Sequence, residues 1–360
     1  MELDHDGDSP LSITPQCPHK MLEESVTYAP TSAYPLYLTA KRYWLPAFEA
    51  NVDDPDALTL LFLHSTSFHK ETWMPTIDTL FALASSEHSP IKIREAWALD
   101  CPNHGASGQL NAYILLQPEF FLNFSCEKYA QAVHHFLSIG RIDTRKGKLV
   151  GVGHSLGGVA MTMLQDIEPL FPFTSFVLIE PLLSPAGGHH LRRLREMLVK
   201  GAYERRDVWP DRKEALASLA RRQRTKKWDP RVIDTFVRYG ILEHPGARYP
   251  AGAYNGVTLA CTRDQEAAMY RDPEGATKPV GTLTRLCRTH PLHLVLGEVA
   301  DFLPPRVHKA IVEVGAYASV TVIQGAGHLV VQEVPDRLAK TIYDTLLMDS
   351  KNTQGIHSKL

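Results

Sequence analysis

The chain has 360 residues, 44% of them hydrophobic and 22% charged, with a formal net charge of −2. This composition supplies a large core and, by length, about two domains, and it sets up no global field that would attract nucleic acid. Five cysteines, Cys17, Cys101, Cys126, Cys261 and Cys287, show neither metal-type nor redox-type spacing and read as reduced thiols of an intracellular protein. The first ten residues, MELDHDGDSP, are acidic and polar, unlike a secretory signal or a mitochondrial presequence. No stretch approaches the roughly 18 apolar residues of a membrane helix, so no membrane span is expected.

In chain order, YPLYLTAKRYWL (34–45) alternates as an early strand does, and ALTLLFLH (57–64) and IKIREAWALD (91–100) read as short buried strands. KLVGVG (148–153), SFVLIE (175–180), LHLVLG (292–297) and SVTVIQ (319–324) continue the series. Helical periods lie between them in TWMPTIDTLFAL, EKYAQAVHHFLSI and GGVAMTMLQDI, and another follows in VPDRLAKTIYDTLL. Buried strands alternating with helices predict an α/β fold with a mainly parallel sheet covered on both faces. Between Glu180 and Leu292 about 110 residues carry no strand signal, too many for a bare loop, and they read as an inserted helical subdomain. The expected organisation is an N-terminal extension over 1–33, a sheet-forming body over 34–182 and 288–350, a helical cap over 183–287 and a polar tail over 351–360. Residues 186–240 hold 15 Lys and Arg against 7 Asp and Glu, so the cap is basic and the rest acidic on balance.

Gly153-His154-Ser155-Leu156-Gly157 fits G-x-S-x-G, with a strand before it and a helix after it, which is the context that pattern requires. A sharp strand-to-helix turn forces the serine into strained backbone and leaves room only for glycine on either side. The new helix aims its free N–H groups at the same point. Serine needs a base to take its proton. His328, in VIQGAGHLVVQEVPDRL between the last strand and the last helix, is the expected general base and acid among 17 histidines. The expected oxyanion donors are the N–H groups of Leu156 and of Thr66, the latter in the loop HSTSFHKETW. DCPNHGASG (100–108) is expected to floor the pocket, with a structural role for His104.

The elbow, LHST, DCPNHGASG and GAGHLVVQEVP, in that order from about residue 34 to 348, resemble the α/β-hydrolase superfamily with a helical cap. The last three residues, Ser358, Lys359 and Leu360, match the peroxisomal import tripeptide. With the basic cap, they make the chain similar to the fungal peroxisomal hydrolases of toxin and secondary-metabolite biosynthesis. That group includes AK-toxin-like biosynthesis proteins and the acyl-CoA hydrolase of the mycophenolic-acid pathway.

A histidine of this kind needs a carboxylate to hold its tautomer. Asp301 follows the strand after the cap, the commoner place in the superfamily, but with one residue more than the usual Gly-x-x-Asp spacing. Glu180 ends SFVLIE, 25 positions after Ser155, and a carboxylate ending a buried strand needs a partner. The resemblance to the peroxisomal CoA hydrolases also points to that earlier strand end, so Glu180 is preferred and Asp301 kept as the alternative. The resemblance further implies a peroxisomal serine hydrolase of an acyl-CoA thioester or ester, with basic cap residues suited to phosphate. The alternatives are a peroxisomal lipase or carboxylesterase and a non-catalytic protein of the same fold. The expected partners are the acyl substrate and the import receptor. No metal or nucleotide cofactor is implied, since GVGHSLGG is neither G-x-G-x-x-G nor a P-loop.

Overall fold

Residues 20–248 and 255–357 are described in the computed structural model; Ser358, Lys359 and Leu360 lie outside the described residues. The strands are β1 (Leu22–Tyr28), β2 (Leu38–Trp44), β3 (Leu58–Leu63), β4 (Ile93–Leu99), β5 (Lys148–His154) and β6 (Phe173–Ile179). They continue with β7 (Val208–Trp209), β8 (Ile241–Glu243), β9 (Val257–Leu259), β10 (Leu292–Gly297) and β11 (Ser319–Ile323). Eight of them form one sheet in the order β1-β2-β4-β3-β5-β6-β10-β11. β2 pairs antiparallel with β1 and β4, and every other pairing in this sheet is parallel.

The central strands are apolar on both faces because helices cover both. Along β3, Leu61 and Leu63 enter one core and Leu60 and Phe62 the other, as the two-residue strand period demands. On β5, Leu149 lies in the first core, and Val150 and Val152 in the second. The helix Leu156–Leu164 covers the first face, and the helices Met74–Ala84 and Pro335–His357 cover the second. Truncating a residue as buried as Phe62 to alanine would cost about 3–5 kcal/mol.

Three features depart from the sequence expectation. The stretch 1–33, read as an extension, contributes β1, which pairs with β2 from Leu22↔Trp44 to Tyr28↔Leu38. As an edge strand it has no fully buried residue, so it carries no apolar alternation to read. The stretch after Glu180, read as mostly helical, holds among the described residues five α-helices and a separate three-stranded sheet, β7-β9-β8. Strands of two or three residues are too short to show a period. Finally, part of the tail, residues 351–357, continues the helix Pro335–His357.

The inserted segment has its own apolar cluster, built on Trp209, Leu219, Trp228 and Phe236, and it takes in Phe68 from the loop after β3. Hydrogen bonds fasten it to the sheet body. The Asp229 N–H donates to the Gln332 carbonyl at 2.8 Å, and Ser67 Oγ donates to Glu266 Oε1 at 2.5 Å. Among the described residues no helix is long and apolar enough to cross a membrane.

Candidate active site

The carboxyl ends of β5, β6, β10 and β11 converge on one point, where parallel α/β sheets place their ligands. Ser155 follows β5 with φ 53° and ψ −116°. A non-glycine residue held in such a region stores about 1–3 kcal/mol of strain, so its surroundings must over-determine it. Its N–H donates to the Ile179 carbonyl at 2.9 Å, and its carbonyl accepts from Gly158, Val159 and Leu182. The flanking glycines are sterically required. A Cβ on Gly153 would meet the Gly157 carbonyl at 2.7 Å, and one on Gly157 would collide with the Leu63 carbonyl. Leu156 opens the helix that follows, so its N–H is one of the free donors of the first turn.

The imidazole of His328 lies between the serine and one of the two candidate acids. Its Nε2 is 3.0 Å from Ser155 Oγ, and its Nδ1 is 3.0 Å from Glu180 Oε2. A carboxylate can only accept, so Nδ1 carries the proton and Nε2 is left to accept from the serine hydroxyl. All three side chains are buried. Glu180 follows β6 in left-handed backbone, φ 44°. Its Oε1 accepts the Gly297 N–H at 2.7 Å, and its Oε2 also accepts from His308 Nε2 at 3.1 Å. Burial alone would raise its pKa; hydrogen bonds from His308 and His328, together with electrostatic attraction to the two rings, outweigh burial and bring it down to about 2.

Asp301 serves the same histidine differently: its Oδ1 accepts the His328 backbone N–H at 2.9 Å. Two further contacts with His328 involve residues that the sequence reading passed over. Phe302 stacks on its ring, with centroids 3.9 Å apart and planes 11° from parallel. His154, the variable residue of the serine motif, donates from Nε2 to the His328 carbonyl at 2.9 Å. Burial lowers the His154 pKa to about 3, so it is a neutral structural donor. His308, on the helix Pro305–Glu313, was also missed. Nothing in its neighbourhood in the chain marks it, because its partner lies 128 positions away.

The loop after β3 closes the other side. Thr66 and Leu156 line one small cavity with Ser65, His64, Cys101 and Met269, so both expected oxyanion residues face the same space. The hydroxyls of Ser65 and Thr66 are buried without a partner among the described residues. His64 shapes this loop by donating from Nδ1 to the Ser65 carbonyl at 2.7 Å and accepting the Cys101 N–H at Nε2. Burial lowers its pKa to about 4. His104 accepts the Ser67 N–H at 2.9 Å, a structural contact as expected of it. Asp100, buried beneath, accepts from the backbone and ammonium of Lys70 and from Thr39.

Beside Leu156 lies a small, mainly apolar cleft. Leu182 of the sheet body and Leu191, Leu194, Leu198 and Met269 of the inserted segment line it, with Arg195 among them. The site therefore offers a hydroxyl paired with a base, a buried carboxylate behind that base, and a helix N-terminus and a small apolar cleft close by.

Residues 60–341 match the sequence model of the alpha/beta hydrolase family, and the chain belongs to that family. It is 31% identical over 219 residues to the type I acyl-CoA thioesterase mpaH of Penicillium brevicompactum, covering 60% of this chain and 46% of that protein. It is 30% identical over 126 residues to the abhydrolase domain-containing protein AFT2-1 of Alternaria alternata, covering 35% of this chain and 45% of the relative. The chain thus spans about half the length of the curated relatives it matches. Among solved structures it resembles the peroxisomal alpha-beta-hydrolase Lpx1 of Saccharomyces cerevisiae, with a TM-score of 0.69 at 18% identity over 96% of this chain and 90% of the other. It also resembles the thioesterase domain from the curacin biosynthetic pathway, with a TM-score of 0.61 at 16% identity over 90% and 99% of the two chains. These last two likenesses concern the fold.

Proposed function

We propose that this chain is a peroxisomal serine hydrolase that cleaves an acyl-CoA thioester or ester of a polyketide-like or fatty-acyl-like chain in secondary metabolism. The observation that carries the reading is the unbroken chain of hydrogen bonds from Ser155 through His328 to Glu180. Similarity to an acyl-CoA thioesterase and to Alternaria abhydrolase proteins supports the substrate class. Likeness in fold to a peroxisomal hydrolase supports the compartment, with an import receptor as partner.

In this reading Ser155 Oγ attacks the acyl carbonyl while its proton passes to His328 Nε2. Glu180 balances the imidazolium that forms, and the N–H groups of Leu156 and Thr66 take the negative charge of the carbonyl oxygen. The proton on Nε2 goes to the departing thiolate or alkoxide. A water then gives its proton to Nε2, attacks the acyl-serine and releases the acid, and the serine recovers its hydrogen. The acyl chain lies along the apolar cleft, and residues 183–287 act as a cap over it. The basic residues of that cap suit the phosphates of a CoA leaving group.

The test is turnover of matched CoA thioesters and p-nitrophenyl esters. Ser155→Ala keeps the fold and loses turnover of both; unchanged turnover in that variant would refute the assignment. A wild type that cleaves only the oxygen esters makes it a carboxylesterase.

A further inference from the structure

We propose that His308 is a positioning residue of this site, holding the Glu180 carboxylate in the one orientation from which it serves His328. The inference rests on the hydrolase reading above, and three observations carry it.

The first is the geometry at one oxygen. Glu180 Oε2 accepts from His328 Nδ1 at 3.0 Å and from His308 Nε2 at 3.1 Å, while Oε1 is taken by the Gly297 N–H at 2.7 Å. A carboxylate oxygen has two lone pairs, so His308 fills the one that His328 leaves open. The second concerns the side chain itself. A glutamate has one more rotatable bond than an aspartate, and its carboxylate swings out of register unless a further donor holds it. With only Gly297 and His328 present, the carboxylate would be held by one fixed backbone donor and by the ring it is meant to orient. The third is the backbone. Glu180 sits at φ 44° with its N–H held on the Val295 carbonyl at 2.8 Å, so the main chain is fixed and the side chain is what needs a further donor.

His308 is well placed to be that donor. It sits on a helix whose buried face, Val307 and Ile311, packs into the core, while its own ring is half-buried at the edge of the site. The hydrogen bond to Glu180 raises its pKa against the opposing effect of burial, and Asp301 adds to the rise, so the ring is more readily cationic and the bond charge-assisted. Its only side-chain hydrogen bond among the described residues is the one to Glu180, so it acts on the chemistry through that carboxylate.

The experiment is the rate at which a fluorophosphonate labels Ser155, which needs an activated serine but no particular substrate. His308→Leu slows labelling at least about tenfold, the scale of a small misplacement at a reacting centre. His308→Gln, which keeps a donor at about the same reach, stays within about threefold of wild type. In a Glu180→Gln background, His308→Leu changes the rate by less than about twofold, because the residue through which it acts is already altered. On a p-nitrophenyl ester the His308→Leu effect falls on kcat and not on KM. Full-rate labelling in His308→Leu overturns the inference, and so does an equal loss with and without Glu180. If His308→Leu fails to fold, His308→Gln and His308→Asn decide: equal losses in both, despite the shorter reach of asparagine, overturn it. A wild type that no fluorophosphonate labels overturns the hydrolase reading, and this inference with it.

Discussion

At the end of β6 a glutamate holds the ring of His328; just beyond β10 an aspartate holds the backbone of the same residue. The two carboxylates differ in surroundings more than in distance. Glu180 is 1% exposed and faces two imidazoles, whereas Asp301 is exposed to water. Charge in a buried, low-dielectric place interacts strongly with a proton on the neighbouring ring, and charge in water is screened. The pair shows how one histidine can be supported electrostatically from one strand end and mechanically from the next.

The largest effect should come from separating these two supports. Glu180→Gln is expected to lower kcat by about 10³–10⁴, the scale seen when a histidine loses its orienting carboxylate. Asp301→Asn, which keeps an oxygen for the His328 N–H, is expected to lose about tenfold or less. Steady-state kinetics on one ester settles the order, and a reversed order would break the comparison. Next comes the stacked ring. Phe302→Ala removes a contact worth about 0.5–1.5 kcal/mol and should slow turnover by about two- to tenfold with the fold intact.

A third prediction concerns stability against pH. His64 and His154 are buried with pKa values lowered to about 4 and about 3, against about 6.5 in an unfolded chain. Below pH 6.5 the unfolded chain therefore binds more protons than the folded one, and stability present above that pH is lost as the pH falls toward 4 and 3. Glu180, lowered to about 2, adds to the loss once the pH drops below about 4.5. His308 has the opposite sign: its raised pKa adds stability below about 6.5 that disappears as the pH rises through its folded value. Urea midpoints at a series of pH values should fall on the acid side, and His154→Gln, which keeps a donor for the His328 carbonyl, should flatten that fall. An unchanged slope would remove His154 from the groups that set the acid limit of stability.

The smallest effect is expected far from both strand ends. Arg231 pairs with Asp229 and with Asp336 on the surface between the inserted segment and the last helix. Arg231→Gln should cost no more than about 1 kcal/mol in chemical denaturation, as exposed pairs do, and leave kcat alone.

The sequence by itself determined the α/β body, because buried parallel strands and amphipathic helices carry their periods locally. It also marked Ser155 and His328 as candidates, through a turn that only glycines permit and through chain order. It preferred Glu180 but kept Asp301 as the alternative, since both follow an apolar strand and strand ends look alike in one dimension. Tertiary structure alone decided that the Glu180 carboxylate faces the His328 ring and the Asp301 carboxylate its backbone, and it alone brought Phe302 onto that ring, His154 to the His328 carbonyl and His308 to the Glu180 carboxylate. Those contacts join residues 26 to 174 positions apart, and they depend on how strand ends pack in space, for which a linear pattern has no signal.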